Sequence, residues 1–196
     1  MKMKSWITTT ALALVMFFGA FFVGRSSNSR GPESPIAVAA PADSTTVNTT
    51  ATIKHGTELG NLAPEFQVLR LDGSKLSLSD LRGQPTVLVF WAAWCPFCKE
   101  EAPHVNKLAE AYESRGVHVY GIDVQDNQAR TEWGVKNFGI RYSVVRDASG
   151  EAARNYNVNG IPTVIFLDRK GVVRYIGNRV ANDYTGRLDA LLAEHD

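Results

Sequence analysis

The sequence predicts an α/β domain, a central mixed sheet flanked by helices with a β-hairpin extension at its N-terminal end, preceded by one N-terminal transmembrane helix. Three observations carry this expectation. A continuous run of β-formers, Thr86–Trp91 (TVLVFW), gives way almost at once to helical spacing that opens at Pro96. Strand-type and helix-type segments then alternate to the C-terminus, the pattern of an α/β sheet. Finally, Trp6–Gly24 (WITTTALALVMFFGAFFVG) contains no charged residue.

At helical rise, the stretch 6–24 covers roughly 28 Å, about the thickness of a bilayer's hydrocarbon core. A cleaved leader is the rival reading, but Phe22 and Gly24 make a poor cleavage pair. The best small-x-small site, Ala37-Val38-Ala39, lies well beyond the apolar run. Residues 1–24 are therefore expected to be a retained signal-anchor. Cleavage would instead leave a secreted or periplasmic protein. No cysteine follows the run to accept lipid. Lys2, Lys4 and the amino terminus nearly balance Arg25 and Arg30 across the span. A short N-terminal tail kept inside puts the rest of the chain on the extracytoplasmic side of the cytoplasmic membrane. Residues 25–56, rich in Ser, Thr, Ala and Pro, read as a disordered tether with a typical span on the order of 30 Å.

The folded domain is expected over 57–196. Phe66–Leu71 and Ser74–Leu78, split by Asp72-Gly73, read as a short hairpin, and Ser79–Gly83 as a turn or single helical turn. Thr86–Trp91 reads as a buried central strand, because it lacks alternation. Pro96–Ser114 has helical spacing through Val105, Leu108, Ala109 and Tyr112, closed by Arg115-Gly116. Val117–Asp123 is the next strand. Thr131–Phe138 and Ser149–Tyr156 are short helices, with a brief strand at Ser143–Val145 between them. Pro162–Leu167 and Val172–Ile176 flank the turn Asp168–Gly171 as a hairpin. Tyr184–Glu194 closes as an amphipathic helix on Leu188, Leu191 and Leu192.

Charge and cysteine usage narrow the function. Residues 1–56 carry a net +3 and residues 57–196 a net −2, so the folded part is near neutral without a basic run, which argues against nucleic acid as a partner. The only two cysteines, Cys95 and Cys98, lie in FWAAWCPFCKEEAP between the central strand and its helix. A structural zinc site needs four ligands and one C-x-x-C supplies two; of the scattered histidines only His104 falls near, so no metal is expected. A structural staple closing so small a loop would constrain the unfolded chain little.

A dithiol that exchanges electrons explains the placement. If Pro96 opens the helix, Cys95 sits at its N-cap, where free N–H groups and the positive dipole end favour a thiolate. Moving a thiol pKa from about 8.5 to about 7 corresponds to roughly 2 kcal/mol of preferential thiolate stabilisation. Cys95 is then the attacking nucleophile. Cys98, one helical turn inward, is the resolving thiol, shielded from partners but able to attack a mixed disulfide. No cofactor is needed, because the sulfurs carry the electrons.

The Trp94-Cys95-x-x-Cys98 motif with Pro103 five residues on resembles thioredoxin-like proteins. The wider resemblance is to the membrane-anchored TlpA/ResA/DsbE branch of thiol–disulfide oxidoreductases. It covers Gly60–Leu192 through Ala63-Pro64-Glu65-Phe66, Leu78–Gly83 and Val158-Asn159-Gly160-Ile161-Pro162-Thr163. It implies a thioredoxin-like fold, protein substrates with disulfides or thiols, and a membrane electron donor. It also implies a cis Ile161–Pro162 bond facing the cysteines, with Gly160 and Ile161 offering backbone to an incoming peptide. Trp94, Pro96 and Phe97 would form the rim that substrates touch. Cytoplasmic thioredoxins carry a buried aspartate where Val89 stands here. The ResA-like branch uses a glutamate three residues past the second cysteine, which implies Glu101 as proton acceptor or pKa modulator. The resemblance favours a reductant, of apocytochrome c or of metal-site thiols. A disulfide-forming oxidase, a peroxiredoxin-like peroxidase and a non-catalytic binding module of the same scaffold stay open. The peroxidase family shares the Ala63-Pro64-x-Phe66 opening but normally has threonine where Ala92 stands.

Overall fold

The computed structural model describes residues 54–194. The proposed anchor at 6–24 and most of the tether lie outside them; among the described residues no helix is long and apolar enough to cross a membrane. Lys54–Gly56, assigned to the tether from composition, pair with Leu62: the Leu62 N–H donates to Lys54 O (2.8 Å) and the Gly56 N–H to Leu62 O (3.0 Å).

A seven-stranded mixed sheet runs in the order β2-β1-β5-β4-β3-β6-β7. Its strands are β1 (Gln67–Arg70), β2 (Lys75–Ser77), β3 (Thr86–Trp91), β4 (His118–Val124), β5 (Ser143–Asp147), β6 (Thr163–Leu167) and β7 (Val173–Gly177). β3, β4 and β5 are parallel, whereas β6 lies antiparallel on β3, β7 antiparallel on β6, and the β1–β2 hairpin antiparallel on β5. The hairpin extension and the mixed sheet are as the sequence predicts. Every residue of β3 is buried, which is why its sequence runs apolar rather than alternating.

The helices are α1 (Pro96–Tyr112), α2 (Gln128–Phe138), α3 (Glu151–Asn155) and α4 (Tyr184–Ala193). Two cores sandwich the sheet. On one face Val87, Val89 and Trp91 of β3 pack with Val105 and Leu108 of α1, Phe138 of α2 and Leu188 of α4. On the other, Leu88 and Phe90 meet Phe66, Leu78, Ala152 and Tyr156. Period-2 side-chain alternation along β3 feeds both.

Two helix boundaries differ from expectation. α2 starts before Thr131 because the Asn127 side chain caps it, accepting from the Arg130 N–H at 3.0 Å. α3 is shorter than Ser149–Tyr156, since Gly150 takes a left-handed conformation (φ 71°) ahead of it and β5 extends to Asp147.

Candidate active site

The parallel strands β3 and β4 end at the same level, and the chain leaving β3 turns directly into α1. That turn is tight: the Cys95 N–H donates to Ala92 O at 3.1 Å. Pro96 occupies the first helical position, where a missing N–H costs nothing, and Cys95 becomes the N-cap residue. Its sulfur accepts the Cys98 N–H at 3.1 Å. A sulfur held in this way, at the positive end of a long helix, is favoured as an anion. Cys95 and Cys98 are joined in a disulfide.

Burial does not divide the two cysteines as the helix position suggests. Cys95 is 2% and Cys98 4% exposed, so the first sulfur is covered as fully as the second. Its cover is the segment before β6: Cys95 Sγ lies 3.6 Å from the Ile161 carbonyl oxygen. The Ile161–Pro162 peptide is cis, with Pro162 buried. The Thr163 hydroxyl donates to the Gly160 carbonyl (2.6 Å), bracing the loop. Gly160 is exposed, and a Cβ added there would meet nothing within 4 Å, so its bare backbone faces open space. Around the covered sulfurs stand exposed Trp94 (60%) and Phe97 (66%), with Pro96 exposed between them.

Glu101 is buried on α1, and both its oxygens are engaged. Oε1 accepts the Val180 N–H at 2.6 Å, tying α1 to the loop between β7 and α4, and Oε2 lies 3.4 Å from His104 Nδ1. Among the described residues no hydrogen bond joins Glu101 to either cysteine. Glu101 instead lines a cleft of about 310 Å³ with Phe97, Glu100, His104, Pro162 and Arg179. The cleft continues along α1 past Lys107 towards Tyr184. The residues singled out in the sequence are thus brought together from two places, the start of α1 and the loop before β6, and a third, the loop after β7, joins them. The contribution of the last, through Val180 and Arg179, carried no motif.

Behind the site, Asp126 Oδ2 accepts the Ala93 N–H at 2.8 Å. This link between the β4–α2 loop and the turn before Cys95 was not anticipated. An Asp-x-x-Asp at a strand end reads as ordinary helix-capping chemistry, so only the long-range contact distinguishes it. No group of acids, cysteines and histidines among the described residues has the arrangement of a metal site.

Comparison with known proteins agrees with this geometry. The AhpC/TSA family profile matches residues 59–176. The chain is 31% identical over 142 residues to the thiol–disulfide oxidoreductase ResA of Geobacillus kaustophilus, covering 71% of this chain and 82% of that protein. It is 40% identical over 124 residues to the thiol:disulfide interchange protein DsbE of Pseudomonas fluorescens biotype C, covering 61% of this chain and 67% of that one. Among solved structures, a Chlorobium tepidum protein described as DsbE superposes with a TM-score of 0.63 at 25% identity, covering 70% of this chain and all of the other. A thioredoxin-like fold, a disulfide between Cys95 and Cys98 at the head of α1, and relatives of this kind over most of the domain place the chain in the AhpC/TSA family, as a thiol–disulfide oxidoreductase of the ResA/DsbE type.

Proposed function

We propose that the chain is a membrane-tethered, extracytoplasmic reductant of protein disulfides, anchored through residues 6–24. Cys95 is the attacking sulfur and Cys98 the resolving one. In a reducing turn the Cys95 thiolate attacks a substrate disulfide and forms a mixed disulfide, expelling one substrate thiolate. Cys98, losing its proton, then attacks Cys95 Sγ, which releases the second substrate sulfur and leaves Cys95–Cys98 joined. Two electrons pass to the substrate, and a membrane dithiol donor returns them.

The observation that carries the reductant direction is the charge around the sulfurs. Two carboxylates accept backbone N–H groups of segments beside them, Asp126 from Ala93 and Glu101 from Val180, and no cationic side chain hydrogen-bonds to either sulfur. Negative charge disfavours a thiolate, which disfavours the reduced form and lowers the potential. Glu101 serves as modulator or proton acceptor of the pair. Trp94, Pro96, Phe97, Gly160 and Ile161 receive the substrate segment, with cis-Pro162 fixing its approach. Apocytochrome c or the thiols of a metal site awaiting its cofactor are the substrates this reading favours, following the ResA and DsbE relatives.

The test is the reduction potential of the full chain in detergent, equilibrated against a dithiol couple. A value below about −200 mV is expected, whereas one near −120 mV would indicate a disulfide-forming oxidase. A reporter fused after Asp196 and read in the cytoplasm would overturn the orientation. The peroxidase alternative finds no support at Ala92, which is fully buried, lacks a hydroxyl, and uses its carbonyl to accept from Cys95.

A further inference from the structure

In the sheet order, β4 lies on the opposite side of β3 from the strand that follows the cis-proline, and there two carboxyl groups are sealed beneath α2. Asp123 stands beside Trp91 of β3 and Arg146 of β5 in the strand register. It is 0% exposed, and neither carboxyl oxygen receives a hydrogen bond. An ionised carboxylate in that position forgoes its hydration with no donor in exchange. The neutral acid fits, because burial without a donor penalises the charged form far more than the neutral one. Thr131 of α2 and Asp126 are its polar neighbours, and neither hydrogen-bonds to it. The Thr131 hydroxyl donates to the Asn127 carbonyl at 3.1 Å, so its proton is not directed at Asp123. Asp126 is itself buried, with Oδ2 on the Ala93 N–H and Oδ1 3.2 Å from Arg130 Nε. Ala93 belongs to the turn that delivers Cys95 to its N-cap position.

We propose that Asp123 and Asp126 act as one proton-holding pair that positions the Ala92–Cys95 turn and sets the charge felt by the Cys95 sulfur. These are positioning residues, and the inference rests on Cys95 being the attacking sulfur. With the shared proton in place the pair carries one negative charge; without it, two carboxylates lie buried together. The charged groups facing Asp123 are Asp126 from the β4–α2 loop and Arg146 from β5, and Arg130 of α2 faces Asp126. β3 contributes the indole of Trp91, whose Nε1 is buried without a partner. Burial, reinforced by Asp126, pushes the Asp123 carboxyl up to about 7, so the proton leaves in the neutral range. The added charge disfavours the Cys95 thiolate and makes the couple more reducing above neutrality. The pair moves no electrons. Exchange still breaks the Cys95–Cys98 bond with two electrons from a partner dithiol, whose own sulfurs become joined.

The test uses the full-length chain in detergent micelles, wild type and Asp123→Asn. The Ala93 amide of ¹⁵N-alanine-labelled oxidised protein is followed by NMR between about pH 5.5 and 8.5. Iodoacetamide alkylation of the reduced protein is timed at both ends of that range, with the modified cysteine mapped. The expected result is an Ala93 shift that titrates near neutrality in the wild type and is flat in Asp123→Asn. Cys95 alkylation at the upper pH should be several-fold faster in the variant, while the two proteins coincide at the lower pH. A purely structural Asp123 would change stability but leave both pH profiles alone. A flat Ala93 profile in the wild type overturns the inference even if the variant does not fold, and so do equal alkylation rates at the upper pH. Alkylation mapping to Cys98 would overturn the nucleophile assignment, and the tuning role with it, whether or not Ala93 titrates.

Discussion

Two pairs of carboxyl groups flank the dithiol, and they are built in opposite ways. Glu100 and Glu101 sit on α1 beside an open cleft, Glu100 exposed and Glu101 buried with a backbone N–H and a histidine for its oxygens. Asp123 and Asp126 lie under α2, both buried, and one of them receives no hydrogen bond at all. The same chemical group therefore meets donors in one place and none in the other. What decides is the supply of donors rather than the residue type.

The sharpest way to break the comparison is to remove the centre it is drawn around. Cys95→Ser should abolish disulfide turnover in an insulin-reduction assay, and Cys98→Ser should accumulate mixed disulfides visible on a non-reducing gel. Next in size are the glycines on the two sides. A Cβ at Gly134 of α2 would lie 2.8 Å from Ala93 Cβ and 2.9 Å from the Trp91 ring. Gly134→Val should therefore cost on the order of 1–3 kcal/mol in denaturant unfolding and disturb the site from behind. Gly160→Ala, facing open space, should leave stability within about 0.5 kcal/mol and weaken substrate binding instead.

The pH dependence of stability separates the two acid pairs directly. The Asp123 carboxyl has its folded-state pKa raised from 3.8 to about 7, so the folded protein holds a proton that the unfolded chain has released. Its contribution is fully present below the unfolded value and is lost as pH rises through the folded one. Between those limits stability should fall with a slope of at most about 1.4 kcal/mol per pH unit, and Asp123→Asn should flatten it. Equal slopes in both proteins would place the titration elsewhere. On the open side, Glu101→Ala leaves the Val180 N–H unpaired and should cost about 1–3 kcal/mol, with Glu101→Gln recovering much of it. The smallest effect belongs to His104→Ala, whose exposed contact with Glu101 should change stability by no more than about 0.5 kcal/mol.

Much of this was legible before any coordinates. The apolar run of β3, Pro96 after Cys95 and the Asp168–Gly171 turn fix their elements locally, because the physics that selects those residues acts within a few positions. The loop carrying Pro162 was readable only through resemblance. Three features were not legible. The start of α2 depends on one cap residue, Asn127. The Ile161 loop, expected only to face the cysteines, buries Cys95 as fully as Cys98. The fate of the carboxylates depends on which backbone N–H groups arrive from the loops after β7 and β3, and spacing along the sequence does not encode a pairing across 79 positions.

The burial of Cys95 has a consequence for the cell's other redox couples. The aromatic rim is offered to solvent while the sulfurs are withheld from it, so docking and chemistry are separate events. Thiol–disulfide exchange is gated by access to the attacked sulfur. On the proposed reading, small thiols and oxidants would find no foothold on the rim, whereas a protein that engages Trp94 and Phe97 would displace the Ile161 cover as it binds. The disulfide would thereby be insulated from small reductants until a macromolecular partner completes the contact.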